Sequence, residues 1–585
     1  MGMVRFRRLL MGASTINTQG ETALRISRDL AIGVRDMVAA KHPLAVRAAV
    51  DVLERGGNAI DAAVTAAFSV GVLEPWMSGI GGGGFMTIQM ASGERAVIDY
   101  FARAPQAARP DLYELTPEFG ASRVGFSGVV GDANAFGPLS VGTPGMVRGM
   151  AVALERFGTR PLAEVLEPAI GFAENGFPVE WYQGMLIASQ QATLKRDAET
   201  SSIFLASGLP PAPLFGDASP KMTQPDLART LRLIAQRGPD GFYRGEVAER
   251  IVSHLQANGG ILTLEDFAAY QAVIVDPLVI RYRDVELVLL PYQAGGTHVG
   301  EAFSILNGFD LAATGHNTAA SLHLVAEASR RATADRAAYV GDPDFVDIDW
   351  ARLTSAQYAA ERRADIDMQH ASRPSAGEGI ARGAALAGAG GRGGGNADEG
   401  CTTHLSVVDR HGNMVSVTQT LTLIFGSVVT VPGTGVLLND SMNLFDPRPG
   451  GPNAVGPRKR PASNMAHVIA VRDGTPVLAV GAPGGRRILD TCLQMTLNVV
   501  DYGLDIQAAC AAPLIDCSAS ELLADDRLSA AALRGLSERG HEVNAVPVSF
   551  SPRQFASPTG VTVDPKSGLR SGGADPFGIG IAAGH

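Results

Sequence analysis

Apolar residues at helical spacing cover 46–55 and stop at Gly56-Gly57, after which Asn58 caps a second helix over 59–73. The second stretch is small and apolar all round, so it is expected to be buried and to let neighbours approach closely. Strands are predicted at 85–90 and 96–100. Helices follow at 146–156, 162–175, 224–235 and 247–258. Two further strand runs, 279–282 and 285–290, end at Gln293-Ala294-Gly295-Gly296-Thr297. The helix over 319–340 carries Glu327, Arg331 and Asp335 at four-residue spacing, the pattern of a solvated, self-paired face. From 372 to 400 the composition collapses to Gly, Ala and scattered charge, which reads as a linker. Beyond it, 404–408 and 414–417 read as strands joined by the turn residues Asp409 to Asn413. A last strand, 477–480, breaks at Gly481-Ala482-Pro483-Gly484-Gly485 into a helix over 488–500. These elements predict a layered protein with mixed sheets.

Composition narrows the partners. The chain has 585 residues, 46% hydrophobic and 18% charged, and its net charge of −10 offers no basic face for a nucleic acid. No run of eighteen apolar residues exists, so no membrane helix is expected. The basic N-terminus, Met1 to Leu10, lacks the apolar core of a secretory signal. Four cysteines show neither metal-ligand spacing nor a disulfide framework, and a reducing cytoplasm is the expected location.

Gly79, Gly81 and Gly84 spell G-x-G-x-x-G, but a helix precedes and a strand follows, the reverse of a dinucleotide site. More chemistry is promised where the Gly-rich stretch runs into Cys401-Thr402-Thr403-His404. A cut there would create an N-terminal Thr whose own amine activates its hydroxyl, with no separate His required. The same residues also read as a loop before an ordinary hairpin. The strand–Gly-Gly–helix junction at Gly484-Gly485 leaves backbone N–H groups free for an anion or oxyanion, or for water.

The chain resembles the γ-glutamyltransferase (glutathione hydrolase) family from about His42 onward. The resemblance rests on His42-Pro43-Leu44-Ala45, Gly56 to Ala63, Gly79 to Gly83, Gly142-Thr143-Pro144-Gly145, Gly238 to Tyr243, Ala334-Asp335-Arg336 and Gly341 to Phe345. Later matches are Thr402-Thr403-His404, Gly456 to Pro461 and Pro483-Gly484-Gly485. It implies an α+β fold, the four-layer αββα Ntn-hydrolase sandwich, made as one precursor that cuts itself between Cys401 and Thr402. The expected organisation is an uninterpreted arm (1–40), a large chain (41–401, ending in the linker 372–401) and a small chain (402–585). By position, Thr402 is the nucleophile, Thr420 its hydrogen-bonding partner, Gly484 and Gly485 the oxyanion pair, and Ser463 a holder of the substrate carboxylate. No metal or organic cofactor is implied. The expected partners are a small-molecule amide or γ-glutamyl substrate and a water, amino-acid or peptide acceptor.

The departures gather around the substrate's charged head. Phe101 stands where the family has its carboxylate-binding Arg, with Arg103 two residues on and on the same face of a strand. Thr422 stands for the substrate-binding Asn, Leu444 for the acid that pairs with the substrate's amino group, and Asn464 for a second Ser. The segment 446–457 is short, so the lid of some members is expected to be absent. Removing one partner of a buried charge pair costs about 3–5 kcal/mol, so an uncharged or singly charged acyl group is favoured over glutathione. Two rivals remain. Cleavage after Gly400 would make Cys401 the nucleophile, and a chain that never cuts itself would be an inactive binding protein. His404 is expected to be a hydrogen-bonded structural residue.

Overall fold

The computed structural model describes residues 26–119, 125–205, 207–211, 220–382, 400–550 and 554–585. Two seven-stranded sheets dominate. Their strands, in chain order, are β1 (Ala31–Gly33), β2 (Met37–Ala40), β3 (Gly83–Gln89), β4 (Arg95–Asp99), β5 (Val273–Val275), β6 (Leu278–Tyr282), β7 (Val285–Leu289), β8 (Gly400–Val408), β9 (Met414–Leu423), β10 (Val468–Arg472), β11 (Thr475–Gly481), β12 (Thr559–Val563), β13 (Arg570–Ala574) and β14 (Ile581–Ala583). One sheet runs β1-β13-β12-β11-β10-β7-β6 and the other β14-β2-β8-β9-β3-β4-β5. Every pairing within these two sheets is antiparallel, not mixed as the element order suggested. Consecutive strands such as β3–β4, β8–β9 and β10–β11 close as hairpins, which requires that sense.

Helices cover both outer faces. α1 (Pro43–Glu54) and α2 (Ala59–Leu73) lie on the β8–β9 sheet, where Leu405, Val407, Val415 and Val417 join their apolar cluster. α3 (Gly296–Leu306), α4 (Ala319–Tyr339) and α5 (Ile488–Val500) cover the other sheet. This is the αββα sandwich. α2 is buried along its whole length, and the Asn58 side chain caps it by accepting from the Ile60 and Asp61 N–H groups.

Between the sheets the filling changes along the strands. At one end Met37, Val408, Met414, Ile469 and Val561 form a dry cluster. At the other, alternate positions of β8 and β9 turn Thr402, His404 and Ser406, with Ser416 and Thr418, toward the same interior.

Two expectations are corrected. Glu327, Arg331 and Asp335 are not a solvated face: all three are fully buried, with Arg331 donating to Glu327 at 2.7 Å and Arg362 lying 3.3 Å from Asp335. Glu327 and Arg331 satisfy each other while Asp335 accepts from Tyr358 and pairs with Arg362, because an unpaired buried charge is costly. The linker does not begin at 372, since the Ser372 N–H donates to Glu327 at 2.9 Å, Gly377 N–H to Asp335 at 2.6 Å, and Ile380 is buried. Residues 383–399 lie outside the described residues. Of the arm left uninterpreted, residues 26–40 include β1 and β2, and each sits in one of the sheets.

Candidate active site

Thr402 lies inside β8, at an irregularity in the ladder. Cys401 pairs with Thr422 and Thr403 with Gln419, so Thr420 and Leu421 of β9 oppose Thr402 alone. Such a bulge re-aims side chains beside it. The Thr402 hydroxyl donates to Thr420 Oγ1 at 3.3 Å, and the Thr422 N–H donates to the same oxygen at 2.8 Å. The Thr420 hydroxyl in turn donates to the carbonyl oxygen of Cys401. The Cys401–Thr402 peptide therefore has the Thr402 hydroxyl beside it and a proton donor on its carbonyl. Thr422 closes the turn at φ 96°, strained for a β-branched residue.

These groups face a small cavity of about 40 Å³ lined by Phe101, Thr402, Thr420, Thr422, Leu444, Ser463, Asn464, Met465, Gly485, Arg486 and Ile488. Thr420, Ser463 and Gly485 thus share one cavity with Thr402, and so do the four departures Phe101, Thr422, Leu444 and Asn464. Phe101 stacks on Phe85 at 5.4 Å and shares an apolar cluster with Met465 and Leu444. Leu444, Asn464 and Arg486 also line an outer cavity of about 170 Å³. Asp446, Pro452 and Asn453 of the short 446–457 segment form part of its wall, so that segment still borders the site. Gly484 is not among the residues lining either cavity, and neither is Arg103. The Arg103 backbone pairs with Thr143 and its guanidinium lies 6.0 Å from the Tyr270 ring.

Gly484 and Gly485 begin the turn into α5, with φ 144° and 59°. A Cβ on Gly484 would lie 2.6 Å from Ala556 Cα, so only glycine fits. Among the described residues neither glycine N–H donates to a backbone carbonyl, as an oxyanion site requires.

His404 is not a base for Thr402. Its Nδ1 meets Thr418 Oγ1 at 2.9 Å and its Nε2 meets Ser406 Oγ at 3.0 Å. Thr418 Oγ1 also meets His467 Nδ1 at 2.8 Å, and His467 Nε2 meets Thr87 Oγ1 at 2.7 Å. Burial holds His404 well below the usual imidazole range and lowers His467 to about 3, so both are neutral.

An ion cluster, buried except for Asp344, lies beside Phe101. Arg460 contacts Asp342 at 2.6 Å, Asp344 at 2.7 Å and Asp99 at 3.2 Å. Asp99 accepts the Phe101 N–H at 3.0 Å, and Lys459 donates to the carbonyls of Pro452 and Ala454. Sequence reading missed this cluster, although Lys459 and Arg460 stand within a family match. It also missed Met465, Arg486 and Ile488, which no motif marks.

His323, Glu327 and His541 hold their ligand atoms within 4.8 Å of one another. Hydrogen bonds already account for both rings. His323 Nε2 faces the Asp367 carbonyl at 2.8 Å and so carries a proton, while His541 Nδ1 accepts from Arg330 at 3.2 Å and so does not. His541 Nε2–H therefore donates to His323 Nδ1 at 2.8 Å, leaving no lone pair there for a metal.

Comparison with known proteins is decisive about the family. The family model for gamma-glutamyltranspeptidase matches residues 45–585. The chain belongs to the γ-glutamyltranspeptidase family. Within it, the chain is 38% identical over 515 residues to the acylase ACY 1 proenzyme of Pseudomonas sp. (strain SE83), covering 88% of each. It is 40% identical over 492 residues to the glutathione hydrolase proenzyme of Pseudomonas sp. (strain A14), covering 82% of this chain and 80% of that protein. Among solved structures, cephalosporin acylase from Bacillus halodurans superposes with a TM-score of 0.84 at 28% identity, over 98% of this chain and 99% of that one. The γ-glutamyltranspeptidase family and its Ntn-hydrolase fold thus extend to relatives named for two acyl chemistries.

Proposed function

We propose that the protein is a precursor that cuts itself before Thr402, and that the freed Thr402 then works as an N-terminal threonine amidohydrolase or acyltransferase. The reading rests on one observation: the Thr402 hydroxyl sits beside the Cys401 carbonyl, which Thr420 polarises, at the wall of a cavity shared with Gly485. In maturation, Thr402 Oγ1 attacks the Cys401 carbonyl carbon. The C–N bond breaks, the proton passes to the departing Thr402 nitrogen, and water hydrolyses the resulting ester. In turnover, the new α-amine takes the hydroxyl proton as Oγ1 attacks the substrate amide. The Gly484 and Gly485 N–H groups hold the oxyanion. The amine returns the proton to the leaving nitrogen, and water or an amine acceptor then takes the acyl group.

The wall argues for the acyl class. Phe101 and Leu444 offer no ion to a zwitterionic γ-glutamyl head and Arg103 is engaged at Tyr270, so the lining presents the cation of Arg486 for a carboxylate but no acid for an α-amino group. An acyl group without the α-amino charge suits this wall, and two relatives carry the name acylase. A γ-glutamyl donor is the second reading, supported by the hydrogen-bonding groups of Thr422, Ser463 and Asn464 and by the relative named glutathione hydrolase. Comparing kcat/KM for γ-glutamyl-anilide and glutaryl-anilide, which differ only in the amino group, decides between them. Faster glutaryl turnover is expected, and a strong γ-glutamyl preference would overturn the acylase assignment.

A further inference from the structure

Behind the oxyanion turn lies a buried charged group that the chemistry above does not use. Lys41, which follows β2, donates from Nζ to Ser557 Oγ, and Ser557 Oγ donates to Asp575 Oδ2 at 2.6 Å. Lys41, Ser557 and Asp575 are 2%, 4% and 5% exposed. A single hydroxyl thus bridges a buried ammonium and a buried carboxylate, accepting from one and donating to the other, and its position is fixed from both sides.

The backbone of the same serine reaches the turn that carries Gly484 and Gly485. The Ser557 N–H donates to the Pro483 carbonyl at 2.9 Å. That carbonyl belongs to the peptide whose other end is the Gly484 N–H. In a planar trans peptide the C=O and N–H point in opposite directions, so fixing the carbonyl from behind aims the N–H forward. The neighbouring Ala556 packs against Gly484 too closely for any Cβ there.

We infer that Lys41, Ser557 and Asp575 are positioning residues that aim the Gly484 oxyanion donor through the Pro483 carbonyl. The inference rests on the Thr402 reading above and adds a device linking the region before the cut to the region after it. It also separates two reactions. The carbonyl attacked in maturation is that of Cys401, whose donor is Thr420. The Gly484 donor serves only substrates that enter afterwards.

The test compares Ser557→Ala and Lys41→Met with wild type, using p-nitrophenyl acetate to acylate the matured enzyme and Thr402→Ala as the blank. This activated ester needs no particular acyl head. Removing an oxyanion donor outright costs about 100- to 1000-fold, so misaiming one should slow acylation about 10- to 100-fold. The ester's KM and the half-time of self-cleavage should change less than about two-fold, and Lys41→Arg should recover most of the rate. If Lys41→Met does not fold, Ser557→Ala carries the test. Acylation within about two-fold of wild type overturns the inference, and so does a parallel slowing of acylation and self-cleavage, which would mean general loosening. A wild-type enzyme that is not acylated overturns the Thr402 reading itself, and the positioning role with it.

Discussion

The two ends of the inner cavity have diverged to different degrees. At the end to which the family resemblance assigns the chemistry, Thr402, Thr420, the Thr422 N–H and the Cys401 carbonyl form one hydrogen-bond network. At the substrate-head end Phe101, Leu444 and Asn464 replace the expected residues, yet still line the same space. Bond-breaking machinery tolerates little change because several groups must act on one atom. A recognition wall can exchange ions for packing, provided that no buried charge is left unpaired. The same scaffold thereby reaches different acyl groups with its chemistry intact.

The largest effect is expected where the two ends should be least alike. Thr402→Ala should leave a single uncut chain near 61.0 kDa and reduce amide turnover to background, read by gel and by anilide release. A variant still cut after Gly400 would move the nucleophile to Cys401. At the other end, Phe101→Arg with Leu444→Asp should restore an ion for each end of a zwitterion. The γ-glutamyl to glutaryl ratio of kcat/KM should then rise about 100- to 1000-fold, which corresponds to about 3–4 kcal/mol, while self-cleavage continues. If the ratio does not move, the head is recognised elsewhere.

Acid should weaken the fold behind the nucleophile. His467 is neutral in the folded state because burial depresses its pKa to about 3, so the unfolded chain binds the extra proton first. Its contribution is complete above about pH 6.5 and falls by about 1.4 kcal/mol per pH unit as the pH drops toward 3. Urea unfolding measured from pH 7 to 4 should show at least this slope, because burial depresses His404 as well, and Thr87→Val with His467→Phe should lower it by about the share of one proton. The smallest effect is expected from Arg103→Ala, which should change kcat/KM for either anilide less than about three-fold. A larger loss would bring Arg103 back into the recognition wall.

The elements best read from sequence are those whose signals are local. α2 has its Asn58 cap and α5 its Gly-Gly entry, and both occupy the predicted residues. α3 was hidden because Gly295-Gly296 reads as the end of a strand, whereas the helix begins there. The charges of α4 carried no sign of burial, since the same i, i+4 spacing serves a wet face and a buried ion pair. Within the site, motif positions located Thr402, Thr420 and Ser463. Lys41, Ser557 and Asp575 could not be assembled from spacing, because residues 516 and 534 positions apart meet only through the fold.

The order of strands gives self-cleavage a further meaning. β2 lies between β14 and β8, and β3 borders β9, while in the other sheet β7 borders β10 and β1 borders β13. A break before Thr402 therefore cuts the covalent thread but not the weave. Neither fragment can leave without unzipping ladders in both sheets, so fragments from two parent molecules should not trade partners short of unfolding. Each mature molecule keeps the pair it was born with, and a lesion in either fragment stays confined to that molecule.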